Sequence, residues 1–324
     1  MKTLVTGATG LVGNNVVRLL IERGEPVRVL ARANCDPRPL EGLDVEIAPG
    51  DVRDEASIRK ALSGVDRVVH AAAQVHIGWK QLDDQRAINV VGTRYVAEAA
   101  LAEGVPLVHV SSVDALGLDV SGIAANEETP RTGKTPCSYV VTKSEAEAEV
   151  QKVIERGLDA RIVNPGFMLG PWDWKPSSGR MLLAVGKRFA PLAPTGGCTI
   201  CDVRDVARGI LTALERGKTG RNYILGGYNK TYFELWQEFA KVGGSRPPVA
   251  RLGPAMQFLV GRSGDWLSRW VGRELDVNSA AMAMSSLYHY HSSARAQTEL
   301  GYVNRPLAET IQDAWDWFRS HGYV

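Results

Sequence analysis

Four cysteines in 324 residues, Cys35, Cys137, Cys198 and Cys201, are too few and too scattered for a disulfide framework. Cys198 and Cys201 have the spacing of redox and zinc sites, yet no second pair or nearby histidine completes a ligand set, and the pair reads as structural. His289 and His291 have strand-like spacing with no third ligand near them, so no metal is expected. Charge of one sign is also missing. The 38 Lys and Arg stand against 36 Asp and Glu, a net of +2 without a long basic run, which gives no reason to expect nucleic acid or a membrane as partner. No apolar stretch reaches spanning length, and the opening strand lacks a charged n-region and a cleavage site, so a cytoplasmic location is expected. There are no internal repeats or low-complexity tracts. What the chain does have is bulk: at 44% hydrophobic residues it can build a large domain and a smaller one.

Lys2-Thr3-Leu4-Val5-Thr6 reads as a short buried strand that runs into Gly7-Ala8-Thr9-Gly10-Leu11-Val12-Gly13 and then an amphipathic helix from about 11 to 23. Three glycines at that spacing let the chain turn sharply, let its backbone approach a pyrophosphate, and let the helix pack close to the strand. The free N–H groups at the helix start then hold the anion. Strand, turn and helix in that order point to dinucleotide binding.

Strand-like and helix-like segments alternate through the first half. Residues 27–30, 45–48, 67–70, 107–110 and 160–163 read as buried strands, and 55–63, 83–103 and 137–156 as helices. Such alternation predicts an α/β fold, a doubly wound parallel sheet of Rossmann type with helices on both faces and ligand beyond the carboxyl ends of the strands. The second half, broken by stretches such as 170–179 and 243–248 rich in Gly, Pro, Trp and Ser, reads as a smaller substrate lobe with a closing helix from about 307 to 319. The expected division is therefore 1–165 for the dinucleotide domain, with 198–226 returning to it, and 166–324 mainly for the substrate lobe.

Tyr139 and Lys143 stand four apart on a predicted helix. They share a face, so the ammonium can lie beneath the phenol and favour its ionised form. A tyrosine tuned that way passes a proton near neutral pH. Tyr-x-x-x-Lys alone is a weak signal, because an ordinary solvated helix face often carries both residues.

Taken in order, residues 6–13, 50–54, 70–73, 89–93, 110–117, 139–143 and 164–171 resemble the extended short-chain dehydrogenases/reductases over essentially the whole chain. The likeness is to the NAD-dependent epimerase/dehydratase superfamily, in its dihydroflavonol-reductase-like branch, near bacterial members labelled hopanoid-associated sugar epimerases. The resemblance implies Tyr139 as general acid, Lys143 as its electrostatic support and ribose ligand, and Ser112 as the donor that orients the substrate oxygen. It implies cofactor contacts from Gly7, Thr9, Gly10, Leu11, Val12 and Gly13, from Asp51 and Val52 at the adenine, and from Ala71, Ala72 and Ala73 beside the diphosphate. Ser111, Asn164, Pro165, Gly166 and Met168 are expected near the nicotinamide, and Asn89 to position the active-site backbone. Substrate is expected among Gln74, His76, Trp79, Asp114, Leu116, Phe167 and Trp172.

Cofactor choice turns on the end of the second strand. NAD-preferring relatives place an acid there, whereas this chain has Ala31 followed by Arg32, which favours NADP(H) over NAD(H), with Arg28 or Arg38 able to share the task. Nucleotide-sugar epimerases of the family carry an Arg that clamps the substrate diphosphate; the matching position here is Cys198, with Arg180 or Arg204 as possible substitutes. The resulting expectation is an NADPH-dependent reductase of a ketone or aldehyde on a small, partly apolar molecule. A nucleotide-sugar epimerase or dehydratase with retained cofactor is the alternative, and a non-catalytic dinucleotide sensor a further one. Relatives also dimerise through helices matching 83–103 and 137–156. Here these carry alanines (Ala97, Ala99, Ala100, Ala102) that suit either a homodimer or packing on their own sheet.

Overall fold

A computed structural model describes residues 1–119 and 123–324. Strand β1 (Thr3–Thr6) leads through the Gly7–Gly13 turn into helix α1 (Leu11–Glu22), and β2 (Val27–Ala31), β3 (Glu46–Pro49), α2 (Glu55–Leu62) and β4 (Arg67–His70) follow. Next come α3 (Leu82–Gln85), a π-helical stretch (Arg86–Val91), α4 (Gly92–Glu103), β5 (Leu107–Val110), α5 (Ser138–Ile154) and β6 (Ala160–Pro165). The predicted elements of this half are all present, with ends shifted by a few residues. The exception is the helix expected over 83–103, whose turn around Asn89 widens to π geometry, a feature common at functional sites.

Beyond β6 the chain forms β7 (Phe167–Leu169), α6 (Gly179–Lys187), β8 (Leu192–Ala193), β9 (Gly197–Asp202), α7 (Val203–Arg216), β10 (Asn222–Leu225), β11 (Tyr228–Thr231) and α8 (Tyr232–Gly243). It ends with β12 (Ala250–Arg251), α9 (Pro254–Val271), α10 (Ser279–Ser285), β13 (Tyr288–His289), α11 (Ala294–Leu300) and α12 (Leu307–Ser320).

Seven parallel strands form the main sheet in the order β3-β2-β1-β4-β5-β6-β10. Its strands are apolar on both faces because both are covered. Leu4, Val68, Leu107 and Ile162 pack against α2, α4 and α5, while their neighbours Val5, Val69, Val108 and Val163 pack against α1 and α7. Ala97, Ala99 and Ala100 belong to the first of these layers, so the alanine-rich face of α4 is spent on its own sheet. A second sheet is built around β9, with β11 antiparallel on one side and β7 and β13 parallel on the other. Its core, with Phe239, Trp315 and Phe318, lies under α6, α8 and α12.

The strand order reverses direction between β1 and β4, and there the glycine turn meets the loop after β4. Gly7 has φ +72°, and a Cβ placed on it would lie 2.6 Å from the backbone of Ala71 and Ala72. A Cβ on Gly13 would lie 2.3 Å from the Gly7 carbonyl oxygen. Gly7→Ala is therefore expected to destabilise the fold by roughly 2 kcal/mol or more, read as a lowered urea midpoint at unchanged slope.

Candidate active site

Two elements, β5 and α5, bring the predicted catalytic residues together at the carboxyl ends of the strands. Ser112 follows β5, and Tyr139 and Lys143 lie one turn apart on the inner face of α5, with all three side chains buried. The Ser112 hydroxyl accepts from the backbone N–H of Asp114 at 3.1 Å and favours the ionised form of the Tyr139 phenol. Burial, aided by the Asp114 carboxylate, raises the phenol well above its ordinary value, and the serine contact offsets only part of this. Lys143 Nζ lies 6.0 Å from the Tyr139 ring centroid and donates to the Val110 carbonyl at 3.0 Å. Burial pulls this ammonium down to about 8, against the opposing pull of Glu147 and Asp114. The phenol is thus neutral and holds its proton more tightly than a free tyrosine, contrary to the expectation that Lys143 favours its ionised form: burial outweighs the ammonium, which is turned to the Val110 carbonyl.

Asp114, expected at the substrate, sits in a buried polar cluster that sequence reasoning missed. Its carboxylate lies 3.4 Å from Lys134 Nζ, 3.5 Å from His289 Nδ1 and 3.5 Å from the Ser112 hydroxyl. Burial alone would raise it, but Lys134, His289 and His291 outweigh that and hold it below the usual carboxylate range. Nothing in the sequence marks Lys134, since a single charged loop residue ordinarily faces water, and the spacing of His289 and His291 suggested only a strand. Glu147 was missed too, although it stands on the Lys143 face of α5 one turn further on. It pairs with Arg131 and accepts from Asn164 Nδ2 at 2.6 Å. The Asn164 amide, expected at the nicotinamide, is thereby turned into the Glu147 cluster, where it also donates to the Ser112 carbonyl and accepts from Asn222.

Asn89 is buried in the π turn and pins the loop after β4. It accepts from the Gln74 N–H at 2.7 Å, donates to the Gln74 carbonyl at 3.0 Å and reaches Thr142 on α5 at 3.1 Å. Asn89 thus ties the backbone of the loop after β4 to α5. The Gln74 side chain binds Gln81 and is half-buried. His76 Nε2 meets Glu274 at 2.9 Å, and the Glu274 carboxylate also accepts from the Trp79 and Lys80 N–H groups. Trp79 itself is exposed and donates from its indole to Ser279. The side chains that pack against Tyr139 are Cys137, Ala280 and Met284, with Ile77 and Val140 at their edge.

Other expected pocket residues lie elsewhere. Trp172 packs with Trp174, Trp317 and His321, and Arg18 of α1 covers its ring at 3.3 Å, so it joins the lobe to α1 and does not enter the Tyr139 cluster. Its bulk was misread as pocket lining because an aromatic residue in a Gly- and Pro-rich loop suits either role. Leu116 is buried with Val113 and Ile224, Phe167 edges the second core, and Met168 edges the first.

The residues at the switch point suit a dinucleotide. Helix α1 starts at Gly10 with no side-chain cap and no acid in its first turn, so the Leu11, Val12 and Gly13 N–H groups remain open for an anion. The turn leaves no room for a Cβ at Gly7 or Gly13, Thr9 lies half-buried within it, and Ala71 to Ala73 flank it as half-buried backbone. The buried Ser111 hydroxyl has no partner among the described residues, as suits a group kept for a ligand. Pro165 and Gly166 close β6 nearby. Arg32 is exposed just past β2 and forms no ion pair among the described residues, whereas Arg28 is held by Glu46 and Arg38 by Asp36. Asp51 is engaged by Arg53 at 2.7 Å, and Val52 packs in the core beside it.

A Rossmann sheet with this glycine turn and a Ser-Tyr-Lys centre defines an NAD(P)-dependent enzyme of the extended short-chain type. The family model for the NAD dependent epimerase/dehydratase family matches residues 3–226, and the chain belongs to that family. It is 36% identical to sterol demethylase protein B of Methylococcus capsulatus over 100% of both chains. It is 33% identical to a dihydroflavonol 4-reductase-like protein of Synechocystis over 99% of this chain and 95% of that one. Among solved structures, a nucleoside-diphosphate-sugar epimerase from Pseudomonas aeruginosa superposes with TM-score 0.82 at 27% identity, over 100% of this chain and 99% of that one.

Lys143 supplies a test of the site's electrostatics. Its ammonium pKa lies near 8 in the folded chain against an ordinary 10.5, so between those values the unfolded chain holds more of this proton and stability rises with pH. Below pH 8 the buried charge costs its full amount. Lys143→Met is expected to stabilise the protein at pH 7 by roughly 1–3 kcal/mol while weakening dinucleotide binding, measured by denaturant melts and by NADPH titration.

Proposed function

We propose that the protein is an NADPH-dependent reductase of a ketone or aldehyde carried by a small, partly apolar molecule. The observation that carries this reading is a neutral, buried Tyr139 beside Ser112 and Lys143, walled by the apolar side chains of Ile77, Ala280 and Met284. When bound, the dinucleotide supplies the hydride. Ser112, its oxygen fixed by the Asp114 N–H, directs its proton at the carbonyl oxygen of the substrate and orients it. Tyr139 gives that oxygen its proton as negative charge develops, and the Lys143 ammonium lowers the cost of the phenolate left behind.

NADPH is favoured because exposed Arg32, just past β2, forms no ion pair among the described residues and Ala31 presents no carboxylate to repel a 2′-phosphate. The apolar character of the substrate rests on two supports. Cys198, at the position of the epimerase clamp, is buried in the second core, and Arg204 is committed to Asp202 and Asp313, whereas Arg180 makes only a surface pair with Asp276. The full-length relatives are named for a sterol and a flavonoid, both apolar ring systems. A nucleotide-sugar epimerase would use the same three catalytic residues, but Cys198 offers its substrate diphosphate no cation and Arg204 is held by two carboxylates.

Tyr139→Phe is expected to lower the rate of NADPH-dependent carbonyl reduction by about 10²–10⁴-fold with NADPH affinity changed by no more than about twofold. Full activity in that variant would remove Tyr139 as the acid. Arg32→Glu should weaken NADPH binding by roughly 100-fold and leave NADH nearly untouched, as compared by fluorescence titration; equal losses for both dinucleotides would refute the role given to Arg32.

A further inference from the structure

Helix α9 is turned inside out. The face it lays on the protein consists of Gln257, Gly261, Gly264 and Ser268, while Met256, Leu259, Trp266, Leu267 and Trp270 face away. Trp270 is 75% exposed and Ser268, two residues earlier, 2%. At about 100° per residue the five apolar side chains fall on one stripe along the helix, continued by Val271. The rings of Trp266 and Trp270, one turn apart, lie 5.4 Å from each other.

The inner face is small because α9 lies very close to the segment leading into α10. A Cβ on Gly264 would lie 1.9 Å from the Val277 carbonyl oxygen, and one on Gly261 would lie 2.9 Å from Ser279 Cα. Ser268 adds a hydrogen bond from the Leu275 N–H. The helix is therefore held by close backbone packing and leaves its large side chains free for something else. A soluble surface ordinarily scatters such residues singly.

Charge indicates what covers them. Exposed Arg262 and Arg269, seven residues apart, border the stripe on one side together with Phe258, and exposed Arg273 follows the helix end. The one acid on α9 is Asp265, 3.9 Å from Arg262, and Glu274 is turned inward to His76. Two copies meeting through this face would bring their arginines together. An anionic lipid surface would complement them, with tryptophans at headgroup depth and aliphatic side chains below.

We propose that α9 seats the protein on an anionic lipid bilayer. The expectation of no membrane partner rested on net charge and on the lack of a spanning run, and a surface-lying helix needs neither. No described helix is long and apolar enough to cross a membrane, so the contact is peripheral. The seat adjoins the candidate active site, because α10 presents Ala280 and Met284 to Tyr139 from behind α9. An apolar substrate dissolved in the bilayer would thus lie beside the wall of its site; that consequence rests on the proposed function, whereas the membrane contact does not.

The test is flotation of the full chain with phosphatidylcholine vesicles, with and without phosphatidylglycerol. The wild type is expected to float with phosphatidylglycerol vesicles, less with phosphatidylcholine alone, and less again at high salt. Trp266→Ser/Trp270→Ser and, separately, Arg262→Glu/Arg269→Glu should each lower vesicle binding about tenfold or more, with melting temperature and NADPH affinity unchanged. Tyr139→Phe should float like the wild type, which separates this test from that of the reductase. Absence of flotation with either vesicle overturns the proposal. So does a wild-type dimer in solution that the tryptophan variant converts to monomers, since a second copy would then cover the face.

Discussion

Lys143 carries a positive charge where its residue is only 3% exposed, and the surrounding structure is arranged to tolerate it. The ammonium gives one hydrogen bond to the Val110 carbonyl, and two buried carboxylates, Glu147 and Asp114, pull it back toward the charged form. Each of those acids needs its own support. Glu147 takes it from Arg131, Asn164 and Asn222, and Asp114 from Lys134 and His289. On the other side of the ammonium, burial and the neighbouring charge keep His70 and His109 neutral, stacked 5.4 Å apart beneath α4 and α5. Two buried ammonium groups, Lys143 and Lys134, thus share a polar cluster that runs from β6 and β10 to the loop before α5. Such clusters are expensive to build and are retained where a reaction needs the charge.

The parts of this arrangement legible in the sequence are the local ones. The glycine turn, the strands around it and the Tyr139–Lys143 pair are fixed by spacing within a few residues, where helix and strand geometry leave little freedom. Asn89 was found through family likeness, but the π turn that aims it was not, because no residue in 86–91 breaks the helical pattern. Lys134, His289 and Glu274 reach the site from loops and strands far along the chain, and only the tertiary fold brings them there. Trp172 shows the opposite failure. Its composition and neighbourhood suggested a pocket, whereas Arg18 and Trp317 take it into the joint between the lobe and α1. Helix α9 escaped for a third reason, since periodicity reports an apolar stripe but not whether the stripe faces in or out.

The site is closed by contacts from opposite ends of the chain. Glu274 takes hydrogen bonds from His76, Trp79 and Lys80, and Asn278 donates to the Ile77 carbonyl, so the loop after β4 is tied to the α9–α10 unit at several points. The same loop is pinned from inside by Asn89, which also touches the catalytic helix through Thr142. Movement of α10 is therefore coupled to the floor of the site through named hydrogen bonds and through Met284 against Tyr139.

That coupling bears on substrate class. A diphosphate substrate needs fixed cations, and the cations of the second sheet are used up inside it: Arg305 binds Asp202 and Asp205, and Arg204 binds Asp202 and Asp313. Freeing either would take one of two cations from the buried Asp202. An apolar molecule asks for none of this. It needs a dry wall, which Ile77, Ala280 and Met284 provide, and one polar point, which Ser112 and Tyr139 provide at its reacting oxygen. On the proposed reductase reading, the retained proton donor and the clamp position given over to Cys198 are two aspects of one change: the donor stays because the reduction needs it, and the anion clamp is absent because the substrate carries nothing anionic to hold.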